Sequence, residues 1–300
     1  MFVINNKKIF ISISITLVVL SIISLSVFGL NIGIDFKGGA LTEVSYLEEK
    51  PELNVLNEKI NELGFGSTLV QPAGDFGYII KTRDLNEEEH SSLLEMLSFN
   101  GEYGLTETSF NSIGPSVGKE LSRKAITAII LSSIAVVLFI AFAFRRVSKP
   151  VSSWKYGFIA ILALLHDIII TAGVFSLISR FFGVEADSLF VVAALTIVGL
   201  SVADTIVIFD RIRENLHKNE EEKKRLEFPV VIGESLKQSY GRSILTSFTT
   251  ILVLLSLFFF GPSTTKYFAL MLTVGMFFGT YSSIFFASPL LVFLEEKSKK

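Results

Sequence analysis

The 300-residue sequence contains no cysteine, which excludes a disulfide scaffold and any thiol chemistry. Its three histidines, His90, His166 and His217, are too few and too scattered for a His-rich metal site, so no metal and no cofactor is expected. It has no Walker A sequence, no dinucleotide fingerprint and no complete zinc-binding motif, which argues against ATP-driven work by this chain itself. Neither sign of charge prevails: 27 Lys and Arg stand against 29 Asp and Glu, so nothing points to nucleic acid.

What the chain has is long apolar runs. Half of its residues are hydrophobic, and they come in blocks and not in amphipathic stripes. A hydrocarbon core about 30 Å thick needs roughly 20 mostly apolar residues per helix. Six blocks meet that requirement: Ile9–Leu30, Ala125–Phe144, Gly157–Ser179, Ser188–Asp210, Ser243–Phe260 and Tyr267–Leu294. The first is too long for the apolar core of a signal peptide and ends without a small-x-small cleavage site, so it reads as a retained span.

Basic residues alternate between the two sides. Lys7 and Lys8 precede the first span, Arg145, Arg146, Lys149 and Lys155 join the second to the third, and eight Lys and Arg from Arg211 to Arg242 join the fourth to the fifth. Lys297, Lys299 and Lys300 follow the sixth, whereas the short connections on the other side hold only Arg180 and Lys266. The positive-inside bias therefore predicts six spans with both termini in the cytoplasm. The expected organisation is a cytoplasmic N-terminus and first span over 1–30, an external α+β domain over 31–124, spans two to six over 125–294 with a cytoplasmic loop at 211–242, and a cytoplasmic tail at 295–300.

Within 31–124 the pattern reads strand, helix, strand, strand, helix, strand. Ala40–Tyr46 is strand-like, Leu56, Ile60 and Leu63 repeat at helical spacing, and Ser67–Gln71 and Tyr78–Thr82 flank the turn signal Pro72-Ala73-Gly74-Asp75. Asn86 with Glu89 three residues on predicts a capping box opening a helix through Leu97, and a last strand is expected from Tyr103 to Ile113. That order belongs to a ferredoxin-like split βαβ unit. In the 211–242 region, Asn219–Glu227 reads as a solvated charge run, and Phe228–Tyr240 as an amphipathic segment on the membrane surface before span five.

Ionisable residues inside spans demand a reason, since each costs about 2.5–3.5 kcal/mol on insertion scales. Asp204 lies roughly 9 Å before the boundary residue Asp210 and has Ile206, Val207 and Ile208 after it. A buried carboxylate either pairs with a cation or takes up a proton. The candidate cation is Arg242 at the start of span five, beside the hydroxyls of Ser243, Thr246, Ser247, Thr249 and Thr250. A static ion pair and a proton-carrying Asp204 tuned by Arg242 are both open; arginine itself does not release its proton. His166 and Asp167 in span three point about 100° apart on a helix, so they are not expected to face one partner squarely, and both a hydrogen-bonding role and a proton relay are open to them. Glu185 and Asp187 read as residues of the external interface, and Gly275 and Gly279 in span six as a GxxxG packing face followed by Ser282 and Ser283.

Five strings, in order, carry a family resemblance. They are Gly33-Ile34-Asp35-Phe36-Lys37-Gly38-Gly39, His166-Asp167, and Ala203-Asp204-Thr205 leading into Asp210-Arg211-Ile212-Arg213-Glu214-Asn215. Arg242-Ser243-Ile244-Leu245-Thr246-Ser247 and Gly279-Thr280-Tyr281-Ser282-Ser283 complete the set. The chain resembles the SecF family of protein-export subunits, and the resemblance covers essentially its whole length. It implies an RND-like half of six transmembrane helices with a small periplasmic domain, and a non-enzymatic role in the Sec pathway of the cell inner membrane. It implies a heteromeric complex with a SecD-like subunit, work beside the SecYEG channel on translocating preproteins, and use of the proton-motive force. The family's Asp–Arg pair falls on Asp204 and Arg242, while Ala203 stands where the family commonly has Asn and Leu200 where it has Tyr. The residues do not distinguish protons from sodium. The rival readings are half of an RND-type exporter of lipids or small molecules, an intramembrane protease using Asp167 and Asp204, and a structural assembly factor.

Overall fold

The computed structural model describes residues 2–66, 68–143 and 153–298. Arg145, Arg146 and Lys149, and at the end of the chain Lys299 and Lys300, lie outside the described residues, as do the first residue of the expected strand Ser67–Gln71 and the last of the expected span Ala125–Phe144. The chain divides into two compact units, Ile32–Ile126 and the combination of Met1–Asn31 with Thr127–Lys300.

The smaller unit is a four-stranded antiparallel sheet backed by two helices. Its elements, after a single turn α3 (Ile34–Lys37), run β1 (Gly39–Tyr46), α4 (Leu53–Glu62), β2 (Leu69–Ala73), β3 (Gly77–Thr82), α5 (Glu87–Leu97) and β4 (Leu105–Ile113). The strand order β2-β3-β1-β4, all antiparallel, is the ferredoxin-like arrangement expected from the element order. Alternate residues of β1 (Ala40, Thr42, Val44, Tyr46) and β3 (Tyr78, Ile80, Thr82) point inward, as period two requires, and meet Leu56 and Ile60 of α4 and Leu93 and Leu97 of α5. Pro72, expected in a turn, lies inside β2; the strand is at the sheet edge, where a missing N–H costs no ladder bond, and the turn follows at Gly74–Phe76. The last strand begins at Leu105, two residues later than expected. Asn86 and Glu89 form the reciprocal capping box. Gly38 and Gly39 hold positive φ angles of 83° and 135°, and a Cβ at Gly38 would lie 2.8 Å from the backbone of Pro115, so this glycine pair makes the close turn into β1.

Among the described residues, six helices are long and apolar enough to cross a membrane. They are α2 (Lys7–Phe28), α6 (Pro115–Ala143), α7 (Ser153–Phe182), α8 (Ser188–Glu221), α9 (Phe228–Phe260), and a sixth passage made of α10 (Ser263–Ser282) and α11 (Ser288–Ser298), preceded in the chain by the short α1 (Phe2–Asn5). Three boundaries differ from the sequence expectation. α6 begins ten residues early, at Pro115, where proline suits a first helical position. The 211–242 region is not a loop but the end of α8 and the beginning of α9, joined by a short connection closed by Asn219, whose side chain bonds both the N–H and the carbonyl of Leu226. Phe228–Tyr240 is accordingly not a separate surface helix: Val231, Ile232, Ser235, Leu236 and Ser239 are buried in a seam continuous with span five. Finally, the sixth passage is interrupted by a π-helical turn, Ser283–Ala287, just before Pro289, which has no N–H to continue an α-helical ladder.

Close approaches set the packing of this bundle. A Cβ on Gly275 would lie 2.4 Å from the side chain of Ile197, and one on Gly279 would sit 3.4 Å from Ser201, so the GxxxG face of α10 docks on α8. Gly173 of α7 similarly admits Ser21 of α2. At one end, Lys7 pairs with Glu296 and Lys155 with Glu295, gathering the starts of α2 and α7 and the end of α11 on one side.

Candidate intramembrane site

Serines make up most of the polar interior of the helical unit, joined by Thr171, Thr205, His166, Asp167 and Glu295, with the half-buried Asp204 beside them. On α9, Ser235, Ser239, Ser243 and Ser247 recur every fourth residue and form the buried seam against α8. Ser235, Ser239 and Ser247 each donate to the carbonyl one turn back, the usual solution for a hydroxyl on a helix. Ser243 breaks this pattern. Its hydroxyl lies 2.6 and 2.7 Å from the two carboxylate oxygens of Asp204 and donates to them.

Asp204 is half-buried, and Ala203 beside it is exposed. The residue it meets on span five is thus Ser243 and not the neighbouring Arg242, so the static ion pair weighed from the sequence is not formed here. Arg242 is exposed and lines a cleft of about 190 Å³ with Asp210, Arg211, Glu214, Gln238, Ser239 and the exposed Val207. Asp210 pairs with Arg213 at 3.3 Å on the exposed part of α8, as a boundary charge would. Asp187 serves as the N-cap of α8, accepting from the N–H of Phe190.

Asp167 is fully buried and holds three side-chain hydrogen bonds from two other helices and its own neighbour. His166 Nδ1 is 2.8 Å from Oδ1, while Ser201 of α8 and Ser282 of α10 donate to Oδ2 at 2.5 and 2.8 Å. His166 and Asp167 bond each other, but their other contacts differ: Asp167 meets Ser201 and Ser282, whereas the His166 ring stacks on Phe286 and Tyr281. The two carboxylates share no hydrogen-bond partner. They are linked at one remove through α8 and α10: Thr205, next to Asp204, bonds the carbonyl of Ser201 and lies 2.8 Å from Ser283 at the head of the π turn. From Asp204 the chain Ser243, Ser247 and Thr280 reaches α10 as well.

Sequence reasoning singled out His166, Asp167, Asp204 and Arg242, and the structure assembles the first two with each other and the third with Ser243. It missed Ser201 and Ser282 as the donors to Asp167. Their signal was present, since Ser201 lies one turn before Asp204 and Ser282 one turn after Gly279, but serines beside glycines read as packing. Among the described residues, no group of three or more His, Asp or Glu could hold a metal ion.

Comparisons with known proteins agree with this architecture. Residues 95–297 match the family described as protein export membrane protein SecD/SecF, C-terminal, and residues 23–46 match the SecD/SecF GG motif, which contains Gly38 and Gly39. The chain is 40% identical over 299 residues to the protein translocase subunit SecF of Thermobaculum terrenum, covering 95% of this chain and 91% of that one. It is 37% identical to the SecF subunit of Sebaldella termitidis, covering 99% and 92%. The crystal structure of SecDF, a translocon-associated membrane protein from Thermus thermophilus, superposes with a TM-score of 0.81 at 31% identity; the match covers 98% of this chain and 38% of that longer one. The chain is therefore a multi-pass membrane protein that belongs to the SecF family of protein translocase subunits.

Proposed function

We propose that this chain is the SecF-type half of an export machine that couples the proton-motive force to protein translocation, with Asp204 as the proton carrier and Arg242 as the charge that tunes it. The observation that carries this reading is the setting of Asp204. It is a half-buried carboxylate in a membrane span, held by a single hydroxyl, beside a small exposed residue, with an uncommitted arginine one residue from that hydroxyl. A carboxylate held by one neutral donor exchanges a proton without dismantling a network, whereas one locked to a cation does not.

The machine has a second half. Within their apolar windows α6 buries 6% of its residues and α9 11%, against 56% for α7, and Ala203, beside the half-buried Asp204 on α8, is exposed. A polar residue at such a face requires a protein partner to shield it from lipid. A SecD-like subunit, whose fusion to this module is seen in the 36%-identical SecDF protein of Brucella abortus, fills that role. The complex works in the inner membrane beside a SecYEG-type channel on exported preproteins, with both termini of this chain in the cytoplasm and the 32–126 unit outside.

Export of a preprotein into inverted membrane vesicles, with and without an ion gradient, tests the reading. Asp204→Asn is expected to abolish the gradient-dependent part of export while the protein still inserts, and Ser243→Ala to reduce it less severely. The double variant Asp204→Asn, Arg242→Leu is expected to insert normally and stay inactive. Full export by the double variant overturns the carrier role, because only a structural pair is rescued by joint neutralisation.

A further inference from the structure

Asp167 and its neighbour play no part in the mechanism above, yet His166 carries the least ordinary atom in the bundle. The residue is 3% exposed, its Nδ1 is committed to Asp167, and its Nε2 is buried without a hydrogen-bond partner. The great majority of buried side-chain polar atoms are paired, so an orphaned imidazole nitrogen deserves an explanation.

Two further orphans surround it. The hydroxyl of Tyr281 is buried without a partner, and its ring is stacked with that of His166 at 6.3 Å. The hydroxyl of Ser14 on α2 is likewise buried and unpartnered. Ser14 belongs at the same level as His166. α2 and α7 run alongside with a fixed offset: Ser176 donates to the carbonyl of Ser24, 152 residues earlier, and Gly173 receives Ser21 at the same spacing. One further helical repeat down both helices, that offset sets Ser14 opposite His166. Ser14 of α2, His166 of α7 and Tyr281 of α10 thus each bring a buried polar atom without a hydrogen-bond partner to this part of the bundle.

We propose that Nε2 of His166 is a proton-binding site, distinct from Asp204, reached by a water-borne proton between the hydroxyls of Ser14 and Tyr281. The inference deepens the proton-driven reading above and rests on it for its purpose, but not for its test. In the step, the Nε2 lone pair forms an N–H bond as an O–H bond of hydronium breaks, and a water molecule is left behind. The dyad passes from a net charge of −1, neutral imidazole on aspartate, to zero, imidazolium on aspartate.

Both states have support. Ser201, Ser282 and Nδ1–H give the anionic dyad three donors, while in the loaded state the imidazolium lies against Asp167 and over the face of Phe286, whose ring is stacked at 5.0 Å. Among the described residues, Tyr281 on α10 is stacked with His166, and Asp204 on α8 interacts with the charge of Asp167; α2 carries hydroxyls and apolar side chains. Ser282 is the last residue before the π turn of the sixth passage, so the dyad's charge acts directly on the one irregular segment of that helix.

The chain has only three histidines, which makes the test spectroscopic. Nitrogen-15 histidine labelling of the full chain in proteoliposomes, with His166 assigned by its loss in His166→Gln, reads the tautomer and charge of this one ring between about pH 8 and about pH 5. The expected result is a neutral ring protonated on Nδ1 that converts to imidazolium within that range, and a conversion that shifts in the Ser14→Ala, Tyr281→Phe double variant. A ring fixed in one protonation state across the range overturns the proposal. Conversion that the double variant leaves unmoved overturns the assigned route. In vesicles, His166→Gln is expected to accumulate normally and lose gradient-dependent export; gradient-dependent export at the wild-type rate overturns the site's role in coupling. Since the spectrum is read without export, the failure of the Asp204 reading and the failure of this one give different results.

Discussion

A single carboxylate in the smaller unit shows how local geometry becomes a measurable pH dependence. Glu89 receives both guanidinium nitrogens of Arg83 and the backbone N–H of Asn86, and these bonds hold its carboxyl down at about 2 from an ordinary 4.5. The folded value lies below the unfolded one. The stability it contributes is therefore fully present above about pH 4.5 and is lost as the pH falls through about 2. Hydrogen exchange across α5, corrected for the intrinsic pH dependence of exchange, is expected to show less protection in Glu89→Ala than in wild type at pH 6. The difference should shrink steadily below pH 4.5; a constant difference down to the lowest pH would mean that the capping geometry, and not the charge, is what matters. The opposite effect operates nearby, where burial pushes the phenol of Tyr46, bonded to the carbonyl of Leu97, above its usual range and keeps it a neutral donor at all working pH values. The capping box was readable from Asn86 and Glu89 alone because its logic is local. Ser243 was not readable as the partner of Asp204, because it sits in a four-serine stripe whose other members each donate to their own helix, and sequence does not tell which hydroxyl will instead donate to a neighbouring helix.

At the scale of elements, the positions of the spans were legible and their lengths were not. Hydropathy reports where the bilayer is, not where a helix ends, so α8 and α9, at 34 and 33 residues, run about 50 Å and pass well beyond a core of about 30 Å. Past Asp210 the helix is carried by polar pairs such as Arg211–Glu214 and Lys218–Glu214, and by Asn215 bonding Ser235 and Gln238 across the hairpin. A hydropathy window discards all of these. The π turn was hidden for a different reason: Pro289 was visible, but whether a helix kinks, breaks or widens at a proline depends on what packs around it. The GxxxG face was legible as a packing surface, and its depth is now specific. Gly275→Val places methyl groups where Ile197 already lies at 2.4 Å, and is expected to lower thermal stability by about 1–3 kcal/mol through overpacking. Adding Ile197→Ala should recover part of that loss, because the two side chains compete for one space. Gly279→Ala, whose nearest neighbour is at 3.4 Å, should cost less. Equal losses at both glycines, with no recovery in the double variant, would place the α8–α10 contact elsewhere.

Over the whole molecule, the two termini are tied to one side by chemistry that is independent of the distribution of basic loops. Lys7 at the head of α2 and Lys155 at the head of α7 reach Glu296 and Glu295 near the end of α11, and the buried side chains of Val3 and Ile4 anchor α1 in the same core as Ile232 and Leu291. An even number of passages is the only count that brings the first and last helices together at one end. The ion pairs do not say which side of the membrane that is; the positive-inside bias predicts the cytoplasm. The absence of native cysteine makes the combined statement directly testable. A cysteine in place of Ser91 on α5, in the unit between the first and second passages, is expected to react with an impermeant maleimide added to intact cells. A cysteine in place of Glu222, in the connection between α8 and α9, should react only once the membrane is opened, and so should one in place of Ser298 at the end of α11. Glu222 and Ser298 must behave alike, since both follow an even number of passages from the N-terminus. Opposite labelling of these two positions would break the six-passage topology itself. Shared labelling from outside would leave the bundle intact, invert it in the membrane, and overturn the proposed place of Arg242 and its cleft at the cytoplasmic end of a proton path.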